Sequence, residues 1–525
     1  MDCTCVRQTA LPNTSALFAD YVYHPDRLRS FYGNPDHDFD AVVEAARKAV
    51  IPDERRRALV EALGPLNQGS AALQELARPG TVAVVTGQQV GLFSGPCYTI
   101  YKALTAVRLA QRLRDAGIPA VPVFWLATED HDFAEVNHCW VFDAGHRPIR
   151  LEADGPQGRN QPVGTVELAA PPLDALRDAL RQFPFGDDVA EIVAAAYAPG
   201  RSMGQAFSVL LKRLLGRYDL VHLDPMAPAI RRLAAPALRD ALEAAPELHA
   251  ALVERNRELT EAGYHAQVHV EEHTSLVFLL EGGRRLGLER HGTNYTLNGR
   301  RFSTADLASR AHELSPNALL RPVVQDSMLP TAAYIGGPAE LAYLAQSEVL
   351  YRRLLGRMPA AVLRSGFTLL DARSHKLMAR FGLQLADFFP GWQALRERVA
   401  LQLVPGTLKR SVEETRAAVE AAIDRLARDV AAFDPTIAAA TRKSRSKMLY
   451  QLAKIEHKIG RGVLARDERA EHDAAYLFGL IYPERHLQER LYSIVPFLAG
   501  HGLDVVAAIH DGIQLDCPDH QVATL

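Results

Sequence analysis

The sequence lacks the long apolar segments and the excess of positive charge that several classes of protein require. No apolar run among its 525 residues reaches the ~20 residues that a membrane-spanning helix needs. Residues 1–11 contain no cationic stretch followed by an apolar one, so we find no signal peptide. The formal net charge is -3, which gives no overall positive field for nucleic acid. These absences predict a cytoplasmic protein that binds neither membranes nor nucleic acids.

Cysteine is also scarce, which excludes a scaffold built on disulfide bonds. The five cysteines are odd in number and scattered along the chain. Cys3 and Cys5 form a Cys-x-Cys pair near one end, but no second cysteine or histidine pair nearby completes a tetrahedral zinc set. We therefore predict no metal site and interpret this pair as two thiols on a mobile terminal segment.

Two continuous apolar runs predict the centre of a parallel sheet. Residues 81–86 and 120–126 have the unbroken apolar pattern of strands that are covered on both faces. Between them, a glycine-rich turn leads into residues 98–116, which have helical spacing. Strand, glycine turn, helix and strand form a βαβ unit. The predicted fold class is therefore α/β with a Rossmann-like core.

Changes in pattern along the chain predict two insertions in this core and a separate helical arm. Short alternating segments and hairpin turns mark the insertions, and heptad spacing marks the arm. We divide the chain into a first part of the core (1–140), a first connecting insertion (141–200), core helices and a strand (201–263), a second connecting insertion (264–314), the remainder of the core (315–404), a coiled-coil arm (405–472) and a C-terminal segment packing on the core (473–525).

The arm is predicted from apolar or small residues that recur at steps of four and three. They lie on two helical stretches separated by Pro435, namely Leu408, Val412, Thr415, Val419, Ala422 and Leu426, then Met448, Leu452, Ile455, Ile459 and Val463. This spacing predicts an antiparallel coiled-coil hairpin. The hairpin either satisfies the apolar seam by itself or shares it with a second subunit, and we predict a homodimer through or near the arm.

The turn after the first strand is rich in glycine and glutamine. In an open α/β sheet, ligands bind just beyond the carboxyl ends of the strands. Gly87, Gly91 and Gly95 would let the backbone approach a ligand, and N–H groups at the following helix start favour an anion or nucleotide. An ordinary strand-to-helix turn would also explain the glycines, but it explains the paired Gln88 and Gln89 less well. We predict that both glutamines contact substrate.

Four consecutive ionisable residues follow the second strand and so lie at the same edge of the sheet. Crowded like charges shift pKa values towards those of a general base that works near neutrality. His131 is the candidate base, held by Asp130 or Asp132, and Glu129 completes the predicted catalytic set. A solvated acidic loop is the alternative, and no spacing here specifies a metal.

A third polar cluster lies among prolines and glycines between residues 315 and 340. Arg321 could hold a substrate carboxylate through two parallel hydrogen bonds, or it could form a buried salt bridge with Asp326. Gly336 and Gly337 precede a predicted helix and repeat the pattern of an anion-receiving helix start. The other candidate substrate contacts in this cluster are Asn317, Gln325, Asp326 and Tyr334.

The three clusters together resemble a known family. The segments GQQVGLFSGP (87–96), PVFWLATEDHDFAE (122–135) and SPNALLRPVVQDSMLPTAAYIGGPAE (315–340) are similar to blocks of the BshC family, the cysteine-adding enzymes of bacillithiol biosynthesis. The segment YPERHLQER (482–490) is similar as well, and the resemblance spans about residues 15–510. It implies a Rossmann-like core with two connecting insertions, a coiled-coil arm and a homodimer.

The resemblance also implies a reaction, the formation of an amide between cysteine and the amine of glucosaminyl-malate. The architecture is reminiscent of class I aminoacyl-tRNA synthetases, so ATP or another activating nucleotide is expected, although no HIGH or KMSKS element is present. His131 would deprotonate the amine, donors of the Gly87–Gly95 loop would stabilise an oxyanion or phosphate, and Arg321 with Asn317 would hold substrate carboxylate or hydroxyl groups. The alternatives are a synthetase-like nucleotidyltransferase or ligase for another amine and acid, and a non-catalytic nucleotide-binding scaffold.

Overall fold

The structure is a computed structural model that describes residues 3–33, 36–155, 158 and 160–525. Residues 1, 2, 34 and 35 of the predicted first core part lie outside the described residues. The same holds for residues 156, 157 and 159 of the predicted first insertion. All candidate site residues are described.

The strands of the described residues form four sheets. They are β1 (Cys3–Val6), β2 (Val82–Gln88), β3 (Ala120–Leu126), β4 (His138–Phe142), β5 (Pro148–Glu152), β6 (Val221–Leu223), β7 (Thr274–Glu281), β8 (Arg284–His291), β9 (Asn294–Leu297), β10 (Arg300–Ser303), β11 (Leu314–Pro316), β12 (Thr331–Gly336), β13 (Ala360–Leu363), β14 (Phe367–Leu370) and β15 (His520–Thr524).

Helices connect and cover these sheets, and none of the described helices is both long and apolar enough to cross a membrane. They are α1 (Ala16–Tyr23), α2 (Phe39–Lys48), α3 (Asp53–Leu63), α4 (Ala71–Leu76), α5 (Tyr98–Asp115), α6 (Phe133–Val136), α7 (Leu173–Leu180), α8 (Gly186–Ala196), α9 (Met203–Leu215), α10 (Pro228–Glu243), α11 (Ala245–Glu261), α12 (Thr304–Ser309), α13 (Arg321–Met328), α14 (Pro338–Leu354), α15 (Ala372–Phe381), α16 (Trp392–Gln402), α17 (Gly406–Ala431), α18 (Pro435–Leu464), α19 (Glu468–Ile481), α20 (Gln488–Leu491), α21 (Val495–His501) and α22 (Asp504–Gly512).

The core is a five-stranded parallel sheet in the order β13-β12-β2-β3-β6. The predicted βαβ unit is confirmed as β2, α5 and β3, and the strands are buried on both faces as their apolar runs require. Gly87 allows close pairing at the end of β2, because a Cβ there would lie 2.9 Å from the carbonyl oxygen of Trp125. This confirms an α/β fold with a Rossmann-like core.

The central strand β12 is a feature that the sequence analysis does not predict. It lies between β2 and β13, and all six of its residues are buried. Prolines and glycines border the short run, and Tyr334 interrupts its apolar character. The third polar cluster is therefore a buried strand followed by α14, which puts Gly336 and Gly337 at the carboxyl edge of the sheet.

Two further sheets lie at the positions where the sequence predicts insertions. The first contains only the antiparallel pair β4 and β5, followed by α7 and α8. The second is a five-stranded antiparallel sheet in the order β10-β9-β8-β7-β11. Its strands β7 and β8 bring Phe278 and Arg285 to the carboxyl edge of the core sheet, where both line a cavity.

The two ends of the chain meet in a small sheet that the sequence analysis does not predict. Strand β15 pairs antiparallel with β1 on one side and parallel with β14 on the other. Because β14 follows the last core strand almost directly, this sheet places both terminal segments beside the carboxyl end of β13.

Helices α17 and α18 form the predicted antiparallel arm. Ion pairs hold them together, including Arg416 with Glu456 at 2.8 Å. However, the hairpin does not bury its whole apolar seam. Four of its apolar residues remain about half exposed (43–51%) in the single chain, namely Leu408, Leu426, Met448 and Ile455.

Candidate active site

The structure brings the three predicted clusters together at one cleft. The cleft has a volume of about 680 Å³ and lies beyond the carboxyl ends of β2, β3, β12 and β13, where open α/β sheets bind ligands. The predicted site residues that line it are Gly87, Gln88, Gln89, Glu129, Asp130, Asn317, Arg321, Tyr334 and Gly337.

The remaining predicted residues lie around this cleft without lining it. Gly91 and Gly95 line an adjoining lobe of about 540 Å³, which shares Gln88 and Gln89 with the main cleft. Gly336 is the last residue of β12, one position before the lining Gly337. The other residues outside the lining are His131, Asp132, Gln325 and Asp326.

A buried lysine and a half-buried glutamate join two sides of the cleft. Lys102 on α5 is only 2% exposed and forms an ion pair with Glu340 on α14. Its ammonium group also donates to the carbonyl oxygen of Gly87 at 2.8 Å and to Gln88 Oε1 at 3.0 Å. Burial lowers the pKa of Lys102 although Glu340 opposes that shift. Burial would raise the pKa of Glu340, but Lys102 and its hydrogen bonds lower it overall.

Arg321 is fixed by neutral partners and not by a carboxylate. Its guanidinium donates to the hydroxyl groups of Tyr334 at 3.1 Å and Tyr343 at 3.2 Å, and to Gln325 Oε1 at 3.0 Å. Tyr334 in turn donates to Glu340 Oε1 at 2.6 Å. No carboxylate of the described residues forms an ion pair with Arg321, so the buried salt bridge with Asp326 is not present.

Gln325 and Asp326 lie behind Arg321, in the core. Asp326 accepts hydrogen bonds from Gln325 Nε2 at 2.9 Å, from Thr331 at 2.6 Å and from the hydroxyl of Tyr351. Burial raises the pKa of Asp326 although these donors oppose that effect. Both residues therefore support Arg321 through Gln325 and do not reach the cleft.

Asn317 lines the cleft, but its side chain also has a local structural role. Its Oδ1 accepts from the backbone N–H groups of Leu319 and Leu320 at 3.1 and 3.0 Å, just before α13 begins. This local bonding is typical of asparagine in turns.

Glu129 is a buried carboxylate that faces the cleft. It is 5% exposed, and Oε2 accepts a hydrogen bond from Ser315 at 2.8 Å. Arg285 lies beside this pair and donates to Ser315 Oγ at 2.9 Å. Burial raises the pKa of Glu129, while the charge of Arg285 and the serine hydrogen bond oppose the shift. No hydrogen bond from a described residue reaches Oε1, which leaves that oxygen for a ligand.

His131 is turned towards Arg285. Arg285 Nη1 lies 3.2 Å from His131 Nδ1, and since a guanidinium only donates, Nδ1 must accept. Neutral His131 therefore carries its proton on Nε2. Burial and the charge of Arg285 lower the pKa of His131, while Asp130 and Asp132 oppose that shift.

The neighbouring aspartates have different positions. Asp130 lines the cleft, where Gln89 Nε2 donates to it at 2.7 Å and to Glu135 at 2.8 Å. Asp132 accepts from the N–H of Glu135 at 3.2 Å and caps the short helix α6. Of the two predicted partners of His131, only Asp130 belongs to the cleft.

The glycine loop after β2 has few N–H groups left for an anion. Gly91 and Gly95 donate their N–H groups to carbonyl oxygens of Gln89 and Leu92, both at 2.9 Å. Phe93, with a left-handed φ of 49°, donates to the hydroxyl of Tyr197 at 2.8 Å. The N–H of Gly337 donates to Glu340 Oε2. These glycines shape the cleft, but these particular donors are already used.

Arginine side chains are the main positive groups near these glycines. Arg364, directly after β13, forms a two-point ion pair with buried Glu489 at 2.6 and 2.9 Å. Arg490, the next residue, is exposed at the junction of the main cleft and two adjoining lobes. No carboxylate of the described residues lies within 4 Å of its guanidinium. Partial burial and the charge of Arg364 lower the pKa of Arg490.

Sequence reasoning misses several residues of this site. Arg364 has the signal used for Glu129, since it directly follows a core strand. Lys102 is a lone lysine on the otherwise apolar face of α5, and such a lysine is rarely buried unless it is paired, so its position could have indicated a buried partner. Arg285 carries no local signal, because it comes from the distant second insertion.

Within the described part of the chain, no group of three or more histidine, cysteine, aspartate or glutamate residues is placed to hold a metal ion. The cleft instead combines one buried carboxylate, several fixed hydrogen-bond donors and arginines. Such a set can bind carboxylate or phosphate groups and can accept a proton from an amine.

Comparisons with known proteins agree with the two-part architecture. Residues 1–365 match the family model described as "Bacillithiol biosynthesis BshC, N-terminal Rossmann-like domain". Residues 367–525 match "Bacillithiol biosynthesis BshC, C-terminal coiled-coil domain". The division therefore falls just before β14, whereas the sequence analysis continues the core to residue 404.

Curated relatives match over nearly the whole chain. One from Solibacter usitatus is 60% identical over 522 residues, covering 99% of both chains. A second from Koribacter versatilis is 34% identical, again with 99% of both chains covered. A third from Salinibacter ruber is 31% identical and covers 96% of this chain and 95% of its own. Each is named "Putative cysteine ligase BshC". The chain therefore belongs to the BshC family of bacillithiol biosynthesis.

Proposed function

We propose that this protein is a ligase that joins the carboxylate of cysteine to the amine of glucosaminyl-malate through an amide bond. The observation that carries the proposal is the cleft itself, in which a buried carboxylate faces several cationic side chains. Family membership supplies the bacillithiol pathway, and the names of the relatives supply cysteine as the transferred group.

Glu129 is the general base of the proposed reaction. The attacking amine must lose a proton. Glu129 lines the cleft, its Oε2 is held by Ser315, and no described residue donates a hydrogen bond to its Oε1. Burial raises the pKa of Glu129 towards the range in which a carboxylate both stays ionised and accepts a proton well. This gives Glu129 the role that the sequence analysis assigns to His131.

His131 acts as a positioning residue. Its Nδ1 accepts from Arg285, whose other nitrogens donate to Ser315 and to the carbonyl oxygen of Pro316 at 2.8 Å. Arg285 thus sits between the imidazole and the serine that orients Glu129. Loss of His131 would loosen Arg285 and, through Ser315, misplace the base.

Arg321 would receive a carboxylate of the substrates. Its tyrosine and glutamine partners hold the guanidinium in place without neutralising it. Cysteine carries one carboxylate and the malate group two, and a fixed guanidinium can bind such a group through two parallel hydrogen bonds. Gln88, Gln89, Asn317 and Tyr334 complete the polar surface around it.

We also propose ATP as the activating nucleotide. Arg490 is exposed to the cleft without an ion pair, and with Arg364 nearby it offers the positive charge that phosphate groups require. These residues fit the phosphates better than the glycine N–H groups, most of which are already hydrogen-bonded. A bound nucleotide would provide the leaving group that the cysteine carboxylate lacks.

The test is an assay of the purified chain with cysteine, glucosaminyl-malate and ATP, with mass spectrometry of the product. We expect the amide, and we expect Glu129→Gln to lose at least 100-fold in kcat, about the contribution of a general base. Glu167→Gln, an exposed glutamate outside the cleft, is the matched control and should keep full activity. No amide with these substrates, but turnover with another amine and acid, would overturn the proposal and favour a different ligase.

We further propose a homodimer that joins through the arm and works in the cytoplasm. Apolar side chains along α17 and α18 remain exposed to solvent in the single chain, and packing against a second arm would bury them. None of the five cysteines, all in the described part of the chain, forms a disulfide bond, as is usual in a reducing compartment. Sedimentation of the purified chain at twice the 57.7 kDa monomer mass would support the dimer, and the monomer mass would refute it.

A further inference from the structure

Two cysteine thiols from opposite ends of the chain lie side by side at the surface. Cys5 belongs to β1, and Cys517 lies three residues before β15. Their sulfur atoms are 3.6 Å apart. A disulfide bond holds its sulfurs about 2.05 Å apart, so a shift of about 1.5 Å would join them. Cys5 is exposed and Cys517 is half-buried, so small molecules in solution can reach the pair.

Strand pairing and side-chain hydrogen bonds hold the two segments that carry these cysteines side by side. Antiparallel pairing of β1 with β15 sets the two segments in register. Hydrogen bonds to the two residues after Cys517 also hold its loop in place. Gln8 Nε2 donates to the carbonyl oxygen of Pro518 at 2.8 Å, and the hydroxyl of Tyr23 donates to Asp519 at 2.6 Å. The thiols therefore meet at the high effective concentration that favours an intramolecular bond.

The distribution of cysteines argues against chance proximity. Cys97 and Cys139 are buried, whereas the accessible cysteines all lie in this one region, since Cys3 occupies the same strand as Cys5. A shared metal ion would be the other reason to gather thiols. The described residues contain no set of three or more ligands placed to hold one.

We propose that Cys5 and Cys517 form a reversible redox-modification site that takes a low-molecular-weight disulfide, RSSR, as its oxidant. The thiolate of Cys517 attacks one sulfur of RSSR, the S–S bond breaks, and RS⁻ leaves a mixed disulfide on Cys517. The thiolate of Cys5 then attacks the Cys517 sulfur and releases the second RS⁻. In sum, the two protein thiols lose two protons and two electrons, and RSSR is reduced to two RSH.

The order of the two steps follows from the surroundings of Cys5. Partial desolvation of the Cys5 sulfur, together with the hydrogen bond and charge of the neighbouring Cys517, raises the pKa of Cys5 to about 11, so its thiolate is scarce near neutral pH. Cys5 is therefore a poor first nucleophile. Once Cys517 carries a mixed disulfide, Cys5 needs to attack only a sulfur that already lies beside it.

The new bond would link two walls of a lobe next to the active cleft. This lobe, of about 300 Å³, is lined by Gln8 and Asn13 from the first segment, by His520 from the last, and by Arg364 and Arg490. The disulfide would close the sheet that supports both terminal segments. If the proposed function holds, the product is itself a thiol, and its oxidised form belongs to the proposed class of oxidant; the site itself does not depend on that function.

The test uses the full-length reduced protein with glutathione disulfide as the probe, at mildly alkaline pH. Reaction of the native protein with a chromogenic thiol reagent should detect three accessible thiols before treatment and one after it. The intact mass should fall by about 2 Da, the two hydrogens that disulfide formation removes. Peptide mapping should find Cys5 joined to Cys517, and dithiothreitol should restore all three thiols.

Matched serine variants separate the steps. Cys5→Ser should stop at a stable glutathione adduct on Cys517. Cys517→Ser should lose the first step, the attack on glutathione disulfide, and should form no intramolecular bond. Cys3→Ser should behave like the wild type. If Cys5→Ser does not fold, Cys517→Ser and Cys3→Ser still test which cysteines form the bond, because only Cys517→Ser should prevent it. An unresolved adduct on the wild type, a bond that involves Cys3, or no loss of thiols would each overturn the proposal. These readouts are masses and thiol counts, so absence of ligase activity would not affect them.

Discussion

The ion pair between Arg364 and Glu489 allows a prediction about a loss of stability whose size depends on pH. Both side chains are about 5% exposed or less, and two hydrogen bonds of 2.6 and 2.9 Å join them. Glu489 also accepts from the N–H of Phe367 at 3.1 Å. Arg364→Met would leave the carboxylate buried with only this neutral donor. Removal of one partner of a buried pair costs about 3–5 kcal/mol, which is the loss we expect at pH 7.5.

The pH dependence follows from the direction of the pKa shift in each protein. In the wild type, burial acts to raise the pKa of Glu489, but the charge and hydrogen bonds of Arg364, together with His520 and Arg490, lower it overall. The stabilising effect of the ionised Glu489 is therefore complete above the unfolded pKa and is lost only as the pH falls through the lower folded value. Without Arg364, we expect burial to outweigh the remaining effects of His520 and Arg490, so that the folded pKa rises above the unfolded one. The variant then gains stability as the pH falls, by at most about 1.4 kcal/mol per pH unit.

Urea unfolding followed by tryptophan fluorescence at pH 7.5 and pH 5.5 measures both effects. We expect the gap between the wild type and Arg364→Met to shrink at pH 5.5. The double variant Arg364→Met with Glu489→Gln should be more stable than Arg364→Met alone at pH 7.5, because the unpaired charge is gone. An equal gap at both pH values, or a double variant as unstable as the single one, would show that the buried charge does not cause the loss.

Three further predictions concern the cleft and the arm. If Glu129 is the base, kcat/KM should fall as the pH drops through its raised pKa, and a pH profile of Glu129→Gln should lack that limb. Arg285→Met should raise the pKa of His131, measured by NMR titration, because a neighbouring positive charge is removed; an unchanged value would contradict the contact. Leu426→Lys should convert a dimer to monomers in sedimentation, whereas an unchanged mass would exclude this part of the arm from the interface.

The parts of the fold that the sequence predicts are those whose signal is local. Strands β2 and β3 are covered on both faces, and this burial requires the unbroken apolar runs that identify them. Strand β12 is equally buried, yet its tyrosine hydroxyl is satisfied by Glu340 and Arg321, which come from other elements. The sequence around Tyr334 therefore looks like a polar loop until the tertiary contacts are known.

The same distinction applies to the site. Glu129, Asp130 and Gln89 follow core strands, and position alone places them at the cleft. The orientation of His131 depends on Arg285, which lies 154 residues further along the chain in another sheet. The glycine loop suggests an anion site by composition, but whether its N–H groups are free depends on partners such as Tyr197. Local sequence therefore predicts which groups lie near the cleft. Hydrogen bonds between residues that are distant in the sequence determine which of these groups remain free to bind a ligand.

The ion pairs within the cleft indicate which cationic side chains remain for the anionic groups of the ligands. Lys102 already has a half-buried carboxylate partner and Arg364 a buried one, and Arg285 lies beside Glu129 and Asp130. Arg321 and Arg490 have no carboxylate partner among the described residues, and both face the cleft. Arg321 is held rigid by tyrosines, which suits a carboxylate bound in one orientation. Arg490 is exposed where three lobes meet, which suits a longer, more highly charged group. We therefore expect the paired cations to shape the site, and the two arginines without a carboxylate partner to bind the ligands if the proposed function holds.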